Sequence, residues 1–143
     1  MLTPSQIAAV RQSFALIRPN AERAAAQFYD RLFALDPKLR PLFPRDLAPQ
    51  GRKLMQMLGV AVANLDRVEA LMPRIRALGA RHAGYGVKDA HYDTAGGALL
   101  WTLEQNLRER FTPELRTAWI AAYTLVAEAM KDAAKSPASS AAA

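Results

Sequence analysis

Three polar side chains stand on helical stretches whose other same-face residues are apolar: Tyr29, Gln50 and His82. Tyr29 shares a face with Ala25, Phe28 and Leu32, and His82 closes the series Leu71, Ile75 and Leu78. Gln50 heads a stripe that continues through Leu54, Met57, Leu58, Ala61 and Leu65. A polar group turned inward costs free energy unless a partner compensates it, so these three say more than another leucine would. An imidazole can bind a metal or move a proton, and a phenol and a carboxamide can donate hydrogen bonds to a polarised ligand. Taken singly, each has a commoner structural role. His82 would be a core histidine bonded to a carbonyl, Tyr29 a core aromatic whose hydroxyl reaches the surface, and Gln50 an exposed first-turn residue.

The metal chemistry open to the chain is narrow. With no Cys and two His in 143 residues, a disulfide scaffold, a thiolate zinc site and a Cys-ligated iron–sulfur cluster are excluded. Tetrahedral zinc needs more ligands than two histidines readily supply. The second histidine, His91, starts a different helix whose next turns carry Ala95 and Ala98. A macrocycle that brings four nitrogen ligands of its own needs one protein ligand, so haem is the metal cofactor most compatible with this histidine count.

The elements that must position these residues are all helical. Ala, Leu and Arg dominate, and no stretch alternates like a half-buried strand. Thr3-Pro4 and Thr112-Pro113-Glu114 mark the starts of a first and a last helix, with proline just inside a polar cap. Pro19-Asn20 separates the first helix from a second over 21–35, which Asp36-Pro37 ends because the residue before proline is pushed out of the helical region. A short proline-rich segment, 38–43, and a loop, 44–48, precede a helix from Pro49 to about Leu65. The helix carrying His82 breaks at Gly84 and Gly86, and a long one follows from about Ala90 to Arg110. The expectation is one all-α domain of six or seven helices over 1–134, with a disordered tail at 135–143.

Charge is unevenly placed. The chain carries +6 overall with a pI near 10.1, yet 38–88 alone holds ten Lys/Arg against three Asp/Glu. No run approaches the ~18 apolar residues of a membrane span, and the start MLTPSQIAAVRQSF lacks the pattern of a secretion signal. A cytoplasmic protein that binds neither membrane nor nucleic acid is expected.

Set in order, FYDRLFALDPKLRPLF (28–43), QGRKLMQMLG (50–59), LGARHAGYGV (78–87), HYDTAGGALL (91–100) and FTPELRTAWIAAY (111–123) resemble the globins. The resemblance is to single-domain bacterial haemoglobins and the haem domain of flavohaemoglobins, and it runs from Leu2 to about Lys131. It implies a three-on-three helical sandwich around haem b. His82 matches the proximal histidine, whereas His91 falls after the Gly-Val corner. Pro37 and Phe43 match the corner that packs on the haem face, and Tyr29 and Gln50 match the tyrosine and glutamine of the ligand pocket, with Leu54 as their apolar neighbour. Lys53, Arg52 and Arg81 are candidate propionate partners, and equally good solvated surface charges.

The resemblance also implies a function: reversible binding of dioxygen, with carbon monoxide as a less polarised ligand, and conversion of nitric oxide to nitrate if electrons are supplied. With glutamine at position 50, coordination by two histidines is not expected. The chain ends before any flavin domain, so an external reductase is expected as partner, to a monomer or a homodimer. Tyr92 matches a tyrosine that hydrogen-bonds the proximal histidine, but the accompanying glutamate position falls on Ala134, with Asp132 two residues earlier. Without that carboxylate the push on a bound oxidant should be weaker. The competing classes are a haem-based redox or gas sensor, which no signalling helix after Ala133 supports, and a haem-free basic interaction protein. The second lacks a recognition-helix pattern or an aromatic-interleaved basic stretch.

Overall fold

In the computed structural model, which describes residues 2–135, six α-helices and three short 3-10 turns follow one another, and no strand occurs among the described residues. The expected tail lies outside the described residues apart from Lys135. α1 spans Pro4–Ile17, α2 Ala21–Leu35, α3 Ala48–Ala63, α4 Val68–Gly84, α5 Asp89–Leu107 and α6 Pro113–Ala134.

The boundaries follow local chemistry. At α1 the Thr3 hydroxyl accepts from the Gln6 N–H at 3.1 Å while Gln6 Oε1 accepts from the Thr3 N–H at 3.0 Å, a reciprocal cap. At α6 the Thr112 hydroxyl accepts from the Leu115 N–H, and Pro113 supplies the preset first residue. After α2, Asp36 turns extended and its carboxylate caps the 3-10 turn Pro37–Leu42 through the Lys38 N–H. Two helices differ from the expected bounds. α3 begins at Ala48, where the Asp46 carboxylate receives the Ala48 N–H, and it stops at Ala63 rather than Leu65. α5 stops at Leu107 because Arg108 takes φ 53°, and a 3-10 turn completes the segment to Arg110.

The helices form two layers of three. α1, α3 and α4 lie against α2, α5 and α6, with α4 packed most extensively on α6 and α2 on α5. Trp119 of α6 donates its indole N–H to the Ser13 hydroxyl of α1, which itself donates to the Val10 carbonyl, so this buried polar pair is satisfied. On α3 the face turned to the main core carries Leu54, Met55, Leu58 and Val62, with Leu65 beyond the helix end; Met55 and Val62 stand in place of Met57 and Ala61 of the expected stripe, and Ala61 packs on the smaller cluster instead. α3 and α4 are consecutive and yet hardly touch.

No described helix is long and apolar enough to cross a membrane.

Candidate functional site

α4 presents His82 with its ring half-buried and one nitrogen occupied. His82 Nδ1 lies 2.9 Å from the Leu78 carbonyl oxygen, one turn back along the helix. A carbonyl can only accept, so the proton of the neutral ring resides on Nδ1 and the Nε2 lone pair is left available. Burial holds the His82 pKa below its ordinary 6.5, outweighing the Leu78 bond, which acts the other way; the nearby Arg81 charge lowers it further. The result is a neutral imidazole at pH 7, which is the form that binds a metal. His91 is arranged oppositely. The backbone N–H of Lys88 donates to His91 Nδ1 at 3.0 Å, so the neutral ring carries its proton on Nε2 and serves to cap α5.

Tyr29 and Gln50 are brought together from different helices. α2 and α3 cross where Gly51 meets Ala25, and a Cβ on Gly51 would stand 3.0 Å from that of Ala25. Only glycine lets the two backbones approach this closely without displacement. One turn beyond Ala25, the Tyr29 hydroxyl points at Gln50, its oxygen 3.5 Å from the Gln50 carbonyl, a long bond that leaves the hydroxyl free to donate elsewhere. Burial pushes the Tyr29 pKa up to about 12 against a smaller opposing effect of Gln50, so the phenol keeps its proton.

Aromatic rings frame Tyr29, with centroids at 5.1 Å for Phe28, 6.1 Å for Phe33 and 5.6 Å for Phe43. Phe43 is held there by a residue that pattern reading missed. The Arg40 guanidinium donates to the carbonyls of Phe43, Pro44 and Arg45 and lies 5.3 Å from the Phe33 ring centre. One cation thereby ties the loop before α3 to the Tyr29 cage.

The other expected residues fall into two groups. Leu54 is half-buried one turn after Gln50, at the margin of the main core. Arg52, Lys53 and Arg81 are exposed and make no ion pair among the described residues. Tyr92 is buried with Leu71, Ile75, Ala127 and Met130, and among the described residues no hydrogen bond joins it to His82, whose Nδ1 belongs to Leu78. Asp132 is exposed. The Lys131 ammonium lies 5.8 Å from the centre of the Tyr92 ring and is paired with Glu128 at 3.6 Å.

The donor set fits a metal that brings its other ligands with it. Among the described residues no group of three or more His, Cys, Asp or Glu could hold a bare ion, whereas His82 offers one neutral nitrogen. The core is also divided in two. Leu54 and Phe43 lie on the margin of the larger cluster, Leu78 and Val87 on the margin of the smaller one, and all four are half-buried. An apolar group seated on these margins would cover all four side chains. Covering such side chains contributes on the order of 25 cal/mol per Å² of apolar area.

Comparison with known proteins supplies the context. A family model described as Globin matches residues 26–130. The flavohemoprotein of Bacillus subtilis (strain 168) is 28% identical over 132 residues, which are 90% of this chain and 33% of that protein. The flavohemoprotein of Bordetella parapertussis is 32% identical over the same length and shares. The chain thus spans about a third of the length of the curated relatives it matches. In fold, it is similar to a bacterial globin from Campylobacter jejuni, with a TM-score of 0.85 over 96% of this chain and 99% of that one at 23% identity.

Proposed function

The chain belongs to the globin family, and from that premise we propose that it holds protohaem on His82 and binds dioxygen reversibly beside Tyr29 and Gln50. Haem, when bound, supplies a ferrous iron with one face open to a diatomic gas. What the chain adds is orientation and polarity. His82 would give Nε2 to the iron, while the Leu78 carbonyl fixes the ring and would raise its donor strength. Tyr29, neutral and caged by Phe28, Phe33 and Phe43, has a hydroxyl held only by a long bond to the Gln50 carbonyl, so it could turn its O–H toward a ligand that draws negative charge, and the Gln50 side-chain amide would be a second donor. A donor to a charged acceptor contributes about 1.5–3 kcal/mol, one to two decades in release rate. Slow release follows, with carbon monoxide, which is less polarised, gaining less. Arg52, Lys53 and Arg81, exposed and without an ion pair among the described residues, are suited to the carboxylates at the cofactor's edge.

The observation that carries this reading is the tautomer of His82. Absorption spectra of the hemin-loaded chain, oxidised, reduced and under carbon monoxide, test it; failure to take up hemin overturns it.

Nitric oxide conversion is the second reading, favoured by the Tyr29–Gln50 pair. The net reaction, NO + O2 + e⁻ → NO3⁻, consumes one electron per turnover, which a separate reductase would supply. Lys131 beside Tyr92, where a carboxylate would strengthen the push from His82, argues for oxygen holding over oxygen activation.

A further inference from the structure

Two of the large apolar side chains that the fold leaves exposed, Tyr85 and Leu42, stand on neighbouring turns. Tyr85, at the end of α4, is 63% exposed and Leu42, at the end of the 37–42 turn, is 37% exposed. A Cβ on Gly86 would lie 3.7 Å from Leu42 Cδ2, which places the two turns side by side. The Tyr85 ring is 6.4 Å, centre to centre, from that of His82.

Cations outnumber acids around this corner, where Asp46 and Asp89 are also exposed. Lys38, Arg45, Arg81 and Lys88 are exposed within four residues of Leu42 or Tyr85, and none makes an ion pair among the described residues. The acids of the same segments are engaged elsewhere. Asp36 caps the Lys38 N–H, Asp46 caps the Ala48 N–H and Asp89 pairs with Lys135 at 3.4 Å. An aromatic anchor with an apolar neighbour and a rim of unpaired cations is the composition of a protein-docking spot with a preference for an acidic partner.

We propose that the Tyr85–Leu42 corner is the docking surface for an acidic one-electron donor protein of the flavodoxin or ferredoxin type. This rests on His82 carrying haem: docking there delivers one electron beside the axial ligand, oxidising the donor by one electron and taking ferric iron to ferrous with no bond or proton exchanged. The rim steers the encounter and Tyr85 fixes it, as expected of a small, transient interface. A flat anionic lipid surface is the competing occupant, and it would use the cations without needing Tyr85 as an anchor.

The test uses the full chain loaded with hemin, its spectrum recorded first, and a purified acidic flavodoxin as probe. Calorimetric affinity for the oxidised flavodoxin and stopped-flow reduction by the reduced form are measured at low and at moderate salt. Arg45→Glu and Lys88→Glu together should weaken association about tenfold or more at low salt and flatten its salt dependence. Tyr85→Ala should weaken it by a similar factor with the salt dependence intact. Spectra and dithionite reduction should be unchanged in all variants. Unchanged affinity and salt dependence in variants with normal spectra overturn the proposal. So does binding of wild type to vesicles rich in phosphatidylglycerol without binding to flavodoxin. Failure of the wild-type chain to take up hemin is a separate result, overturning the premise before any docking is measured.

Discussion

His82 and His91 are held in opposite tautomers. The Leu78 carbonyl fixes the proton of His82 on Nδ1, while the Lys88 N–H requires an unprotonated Nδ1 on His91. Of the two histidines, one therefore offers an Nε2 lone pair and the other does not. Nitrogen-15 NMR of the cofactor-free chain at neutral pH should show a protonated Nδ1 on His82 and a protonated Nε2 on His91. The same tautomer on both would remove the basis for choosing between them.

Gly79, one turn before His82, controls how α4 meets α6. A Cβ there would lie 2.5 Å from the Met130 carbonyl oxygen and 2.7 Å from its Cα, both backbone atoms that cannot swing aside. Gly79→Ala should lower stability by about 1–3 kcal/mol through overpacking, and it should speed hemin loss by displacing His82. Gly84→Ala, where a Cβ meets nothing within 4 Å, is the control and should leave both nearly unchanged. Urea unfolding and hemin transfer to an acceptor globin measure the two effects.

Tyr29→Phe removes a hydroxyl whose own bond is long, so the folded state should lose less than about 1 kcal/mol. Oxygen dissociation should nevertheless accelerate by about one to two decades, the difference expected when a charge-assisted donor is deleted. Stopped-flow displacement by carbon monoxide reads the rate. An unchanged rate would take Tyr29 out of the ligand pocket.

Stability should depend on pH at both ends of the range. Because burial lowers the His82 pKa, the cofactor-free folded chain does not take up the proton that the unfolded chain binds as pH falls through 6.5, and it loses stability from there down to the folded-state value. Tyr29 acts on the alkaline side. The unfolded chain releases its phenolic proton near 10 while the folded chain keeps it to about 12, so stability falls as pH rises between these values. His82→Gln should reduce the acid slope, and Tyr29→Phe should reduce the alkaline one in urea titrations, the remainder coming from Tyr123 and Tyr92, whose pKa values burial also raises.

The helices were legible wherever the signal is local. Thr3 and Thr112 cap the helices whose starts they mark, and α2 ends where Asp36 precedes proline, because each signal needs only residues within the next turn. The end of α5 was not, since Arg108 carries no glycine or proline to announce its positive φ. Of the site, the Tyr29 hydroxyl meets the Gln50 carbonyl, a pairing implied by the globin resemblance and not by either stripe alone, and the His82 ring is tied to Leu78 one turn back on the same stripe. Gly51, Gly79 and Arg40 escaped notice for a common reason. A glycine at a helix crossing differs from any other glycine only by the partner backbone it meets, and Arg40 is an ordinary surface cation until the chain turns three carbonyls toward it. The surroundings of Tyr92 were equally hidden, because the placement of Lys131 over its ring depends on the register of α6 against α5.

The central claim is that His82 alone ligates the cofactor's iron. Absorption spectra of the hemin-loaded wild type, His82→Ala and His91→Ala, reduced and under carbon monoxide, test it most directly. The wild type and His91→Ala should give the same reduced and carbon-monoxide Soret bands of a histidine-ligated haem, and His82→Ala should lose them, with partial recovery when free imidazole is added. Bands that survive in His82→Ala and vanish in His91→Ala would contradict the assignment.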